Sequence, residues 1–276
     1  MTRIAIRRLA ASALLVAVAT ASPTAAHGPA EKPFGIAALE QGTSLEVSQL
    51  AIGRTLGDYR FVDTKGARLD LSELRGKPLV VSLIYTGCTH VCPMITQRLR
   101  QAVEEAQRVI GPDRFTVVTV GFDVRHDTPM RMAAFARAQG ADLPNWRFLS
   151  GGEASVAALA KDLGFTYVAS GGGFLHVAQT TIVDGNGRVY RHVYGDDFPI
   201  QVFMEPLKEA VYGTVGSFRS LSSLVDRVRF LCTVYDASQG RYRISYAIAM
   251  GLLAGLISLG TTAVVISRAW LTSRRA

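Results

Sequence analysis

Residues 78–85, PLVVSLIY, form an almost continuous apolar run broken only by Ser82. A strand made from such a run has no face to show to water, so layers of structure must cover it on both sides. The sequence after it supplies those layers. Pro93 opens an apolar-periodic helix through Met94, Leu99, Val103 and Ala106, which stops at Gly111-Pro112. FTVVTVGF (115–122) reads as a second buried strand, and PMRMAAFARAQG (129–140) as a helix with a Pro start and a Gly stop. RFLS is a short strand and EASVAALAKDLG (153–164) a further helix. AQTTIVDGNGRVYRHVYG reads as a hairpin closed by Asp-Gly-Asn-Gly, and a last helix spans about 199–212.

Strand–helix–strand at the start predicts a parallel pair with a right-handed crossover, and the late hairpin adds antiparallel strands. The expected fold is therefore α/β: a thioredoxin-like mixed sheet flanked by helices, with a C-terminal transmembrane helix. The last part of that expectation comes from the chain ends. MTRIAIRRLAASALLVAVATASPTAAHG joins a basic segment, a short apolar run and small residues, and so reads as a signal peptide over 1–26. Residues 244–267 carry no charge and lie between Arg243 and Arg268, long enough for one membrane crossing. The tail 268–276 holds three arginines and no acid, which predicts a cytoplasmic C-terminus. The expected organisation is a flexible lead-in over 27–50, the main domain over 51–213, a tether over 214–243, the span and the tail. The domain would face the periplasm from a bacterial inner membrane.

This topology accounts for the charge. Of 30 Lys+Arg, three lie in the leader and three in the tail, leaving 24 against 22 acids. The formal +8 is thus mostly topogenic and gives no reason to expect nucleic acid as a partner.

Cys88 and Cys92 fall where the first buried strand gives way to a helix, in YTGCTHVCP. A thiol at a helix N-terminus ionises more easily. Positions four apart on a helix share a face, so two such sulfurs can hold one ion or close a disulfide. The spacing allows both chemistries. His176, after Gly171, Gly172 and Gly173 and just before the late hairpin, supplies a third donor. Two thiolates and an imidazole form a soft set suited to Cu(I) and adaptable to Cu(II), whereas a closed zinc site needs four ligands.

The runs GKPLVVSLIYTGCTHVCPMITQRL, GFDVRHDTP and LHVAQTTIVDGNGRV resemble the SCO/SenC family in order and spacing over about residues 50–213. That resemblance implies a membrane-tethered thioredoxin-fold copper chaperone for the dinuclear copper site of cytochrome c oxidase. It puts Cys88, Cys92 and His176 in the places of the copper ligands, one ion per domain. Asp123, Asp127 and Pro129 match the acidic segment beside the site, with Asp123 and Asp127 as supporting or partner contacts. The expected partners are the oxidase subunit carrying that copper site, a periplasmic copper donor and a thiol reductant. Thr89 stands where the family usually has proline, which predicts altered loop stiffness rather than lost binding. The C-terminal anchor also departs from the N-terminal one of many members.

The residue-level alternatives are specific. Cys88 and Cys92 could form a structural bridge, but one closing so small a loop stabilises little. A periplasmic thiol–disulfide reductase is the enzymatic alternative, with Cys88 attacking and His176 of small importance. A copper sensor without transfer would use the same ligands. His90 and His126 read as loop residues rather than ligands, and Asp127 also reads as a helix N-cap. His27 reads as a flexible new N-terminus. Cys232 is an odd third thiol in an exported chain.

Overall fold

The computed structural model describes residues 43–171, 173–213, 233–236, 241–244 and 246–273. The signal peptide, His27 and Cys232 lie outside them, as does most of the lead-in. In chain order the domain contains helix α1 (43–49), strands β1 (Arg60–Asp63) and β2 (Arg68–Asp70), then β3 (Leu79–Ile84) and α2 (Val91–Val109). There follow β4 (Thr116–Gly121), α3 (Pro129–Ala138), β5 (Trp146–Gly151), α4 (Glu153–Asp162), β6 (Tyr167–Ser170) and β7 (Gly173–His176). The domain closes with β8 (Gln179–Val183), β9 (Val189–Tyr194) and α5 (Ile200–Lys208), which continues as a wider turn over Glu209–Gly213.

Every residue of β3 is buried, as its composition demands. It lies within a seven-stranded sheet ordered β2-β1-β5-β4-β3-β8-β9. β3 pairs parallel with β4, and β4 parallel with β5. The β8–β9 hairpin adds to β3 antiparallel, and β1 adds to β5 antiparallel at the other side. This is the mixed thioredoxin-like sheet the sequence predicts. Its core is aromatic and aliphatic, with Phe61, Phe115, Phe122, Leu99, Leu149 and Phe203 almost fully buried.

Several expectations need correction. The helix opened by the cysteine motif starts at Val91, with Pro93 inside its first turn, where no intrahelical donor is lost. Its core face is Cys92, Ile95, Leu99, Val103 and Ala106, while Met94 is exposed. The glycine-rich approach to His176 is a second hairpin, β6–β7, with Ser170 paired to Gly173 and Tyr167 to His176. A loop reading missed it because Val168 and Leu175 are exposed, so the run shows no buried face. The β1–β2 hairpin was missed as well, its strands being four and three residues long.

The lead-in is helical from residue 43, and a buried polar network holds that helix. Ser48 donates to Gln179 Oε1 at 2.8 Å and shares a hydrogen bond with the Tyr194 hydroxyl at 2.6 Å. Gln179 and Thr181 in turn meet Nδ1 of His192 at 3.1 and 2.9 Å.

Within the expected tether and the first residue of the expected span, β10 (Thr233–Asp236) and β11 (Arg241–Ile244) pair antiparallel. Helix α6 (Tyr246–Ser273) then runs through the expected end of the span into the tail. Counted over the described residues, no helix is long and apolar enough to cross a membrane. The structure gives the helix and not the span.

Candidate metal centre

The site is built at the carboxyl end of β3. Cys88 sits in the turn between β3 and α2, its backbone N–H donating to the Tyr85 carbonyl at 3.1 Å. That turn aims its sulfur at the head of α2, where Sγ accepts the N–H of Cys92 at 3.3 Å. The first turn of a helix leaves N–H groups without internal partners, and no side chain of the N-cap residue His90 caps this one. The Cys88 sulfur takes that place. The two cysteines come together here, with Cys88 before the helix rather than on its face.

Their environments differ. Both are free thiols; Cys88 is half-buried and Cys92 fully buried. Burial works to raise the Cys88 thiol, but hydrogen bonds from the N–H groups of Cys92 and His90 and from the Cys92 and Tyr85 side chains outweigh it. The Cys88 thiol consequently lies below its usual value. Burial pushes the Cys92 thiol well up, and a neighbouring Cys88 thiolate adds to the effect. The pair can thus give one ready thiolate and one reluctant one.

His176 ends β7 on the far side of an aromatic cluster. Its ring centroid lies 5.5 Å from those of Phe122 and Phe165 and 6.2 Å from that of Tyr85. Burial lowers its pKa, which favours the neutral ring, against an opposing hydrogen bond to Val177. Nδ1 lies 3.1 Å from the Val177 carbonyl, which can only accept, so Nδ1 carries the proton and Nε2 keeps a lone pair for a metal. Among the described residues no three His, Cys, Asp or Glu side chains are close enough together to hold an ion. Tyr85 touches both halves of the candidate set, bonding Cys88 through its side chain and lying edge-on to the His176 ring. It also accepts the Phe174 N–H at 3.5 Å.

Asp127 is buried and does not cap α3; Thr128 does, accepting from Arg131. The Asp127 carboxylate instead accepts the N–H and hydroxyl of Thr86, both at 2.7 Å, and the Asp123 N–H at 2.9 Å. It clamps the cysteine turn to the loop after β4. Burial raises its pKa in spite of these bonds. Asp123 holds Nδ1 of His126 at 2.8 Å, and His126 and His90 are both exposed. Thr89 is exposed too, and nothing in the structure explains it in place of proline. Sequence reasoning passed over Tyr85 and Thr86. The signal was there: a tyrosine and a threonine at the buried end of a strand, each with a hydroxyl needing a partner.

This arrangement agrees with comparisons to known proteins. The SCO1/SenC family model matches residues 48–212. A SCO2-like protein of Rickettsia felis is 23% identical over 161 residues, covering 55% of this chain and 75% of its own. A crystal structure from Aquifex aeolicus superposes with a TM-score of 0.54 and 26% identity, covering 61% of this chain and 99% of that one. A SCO1/SenC family lipoprotein from Bacillus anthracis gives a TM-score of 0.53 at 23% identity, over 57% and 95% of the two chains. Yeast Sco1 with copper bound gives 0.50 at 16% identity, over 63% and 97%. With most of the chain from the N-terminal helix to the last helix of the sheet domain matched, this protein belongs to the SCO1/SenC family.

Proposed function

We propose that the domain takes up one copper ion through Cys88, Cys92 and His176 and passes it to the dinuclear copper site of cytochrome c oxidase. The observation that carries this reading is the pair of free thiols converging at the head of α2, with a neutral, lone-pair-bearing imidazole on an adjacent hairpin. Soft thiolates match Cu(I), and yeast Sco1, of the same fold, has been solved with copper. Uptake would begin at Cys88, whose thiol is the easier to ionise, and would release a proton as each thiol ligates. His176 would complete the set when the β6–β7 hairpin swings toward the sulfurs, and its retreat would give the ion an exit by ligand exchange. The chain would be exported by residues 1–26 and held at the membrane by 244–267.

The test is an anaerobic Cu(I) titration of the reduced full-length chain against a competing chelator, with insulin reduction measured in parallel. Cys88→Ser and Cys92→Ser should each lose copper by roughly 100-fold or more, and His176→Ala by roughly tenfold or more, in the range seen when metal-site contacts are removed. Unchanged affinity in His176→Ala together with reductase turnover would reverse the assignment. One observation favours that second reading, a thiol–disulfide reductase. The thiols are unequal, one lowered and half-exposed, the other raised and buried, as an attacking and a resolving cysteine would be.

A further inference from the structure

Tyr85 follows the last residue of β3 and is 9% exposed. Its backbone is committed to the cysteines. The carbonyl accepts the Cys88 N–H at 3.1 Å, and the N–H donates to the Cys92 sulfur. Its side chain reaches the other way, to the hairpin that carries His176.

The ring packs against Phe122 and Phe174, with centroids 5.4 and 5.2 Å away, and stands edge-on to His176. A phenylalanine would make the same contacts, so packing accounts for the ring and not for the hydroxyl. A buried phenol needs hydrogen-bond partners, and this one has two. It accepts the Phe174 N–H of β7 at 3.5 Å and bonds the Cys88 sulfur in the cysteine turn. A phenol carries a single proton. Since Phe174 brings its own hydrogen, the proton of Tyr85 is left for the sulfur, and the groups form one chain from amide through hydroxyl to thiol. Bonds in such a chain polarise and strengthen one another.

The backbone is shaped for this contact. A Cβ at Gly173 would stand 2.5 Å from the Tyr85 hydroxyl oxygen, so β7 comes this close only because no side chain grows from that position. Phe174 and His176 are two residues apart in β7 and therefore share a face. The bond at Phe174 thus lies one strand period from the imidazole. β6 and β7 pair with each other and not with the seven-stranded sheet, so side-chain contacts of this kind decide where the hairpin stands.

We infer that Tyr85 is a positioning residue: its hydroxyl ties the β6–β7 hairpin to the Cys88 sulfur and gives His176 a fixed point from which to close on the thiol pair. The consequence for copper rests on the proposed copper binding, whereas the tie itself does not.

The test is Tyr85→Phe in the reduced full-length chain in detergent, which keeps the ring and removes only the hydroxyl. In the copper-free protein the β6–β7 amides should exchange with deuterium about fivefold faster than in the parent, the loss of one hydrogen bond, while those of β8 and β9 keep their rates. With Cu(II) bound, the sulfur-to-copper absorption should move to longer wavelength, because the sulfur has lost a donor that stabilised its charge. Cu(I) affinity should fall about tenfold, and by less than that when His176 is already alanine. Unchanged hairpin exchange overturns the tie. An unmoved absorption, or a fully additive loss of affinity, overturns the positioning role. A parent chain that takes up no copper retires the proposed function instead, and the exchange rates then decide the tie alone.

Discussion

Cys88 holds two roles that a serine would separate. Its sulfur accepts the Cys92 N–H at the head of α2, and it is also the more easily ionised thiol of the pair. Cys88→Ser keeps an acceptor there while Cys88→Ala removes it, and a lost N-terminal cap costs about 1 kcal/mol. Both variants should lose copper, but only the alanine should lower the urea midpoint. An equal midpoint for the two would show that the sulfur does not cap the helix. At the same scale, His192 is 6% exposed beneath α1, and burial lowers its pKa to about 4. An unfolded histidine titrates near pH ~6.5. The folded value is the lower one, so this contribution is whole above pH ~6.5 and is lost as the pH falls toward about 4. The domain should lose up to about 3 kcal/mol from this group between pH ~7 and ~4. His192→Leu should be less stable at neutral pH, and its stability should fall less steeply with acid. Identical acid slopes for the two proteins, measured by urea unfolding, would remove His192 from that role.

Among the elements, the β6–β7 hairpin decides whether His176 can serve as a ligand. Gly173 has φ of 153°, and a Cβ there would stand 2.5 Å from the Tyr85 hydroxyl. Gly173→Ala should force the hairpin off Tyr85 and disturb the approach of His176 while leaving the thiols in place. Copper affinity should then fall toward that of His176→Ala, and adding Gly173→Ala to His176→Ala should change little further. A fully additive loss in the double variant would place the glycine effect elsewhere. This hairpin also marks the limit of what was legible in the sequence. β3, β4 and the β8–β9 hairpin were readable because each carries a continuous buried run or a decisive turn. Cys88 and Cys92 were readable because their motif sits on such a run. β6 and β7 bury little of themselves, so their pattern looked like a loop, and the distance from His176 to the sulfurs had no sequence signal. The Asp127 clamp was hidden for a different reason. An aspartate before Thr-Pro is usually a cap, and only the fold brings Thr86, 41 residues earlier, to its carboxylate.

For the whole molecule, the question is what covers α6. Its described side chains are open throughout, with Leu256 67% and Leu259 71% exposed, and so are Val265 and Ile266. Each fully exposed large aliphatic side chain forgoes roughly 1.5–3 kcal/mol of burial, so this many on one helix calls for something to cover them. On the proposed reading a lipid bilayer would cover the helix, with the arginines of the segment 268–276 favouring a cytoplasmic end. The sheet domain would then face outward, as the proposed hand-over of copper to a membrane oxidase needs. Tagged full-length chain should remain in the membrane pellet after alkaline carbonate extraction. A chain truncated after Arg243 should be released to the supernatant, with its copper affinity unchanged because every proposed ligand is retained. Protease added to the outer face should digest the sheet domain and spare a C-terminal tag. Full-length chain in the carbonate supernatant would mean that another protein, rather than lipid, covers α6.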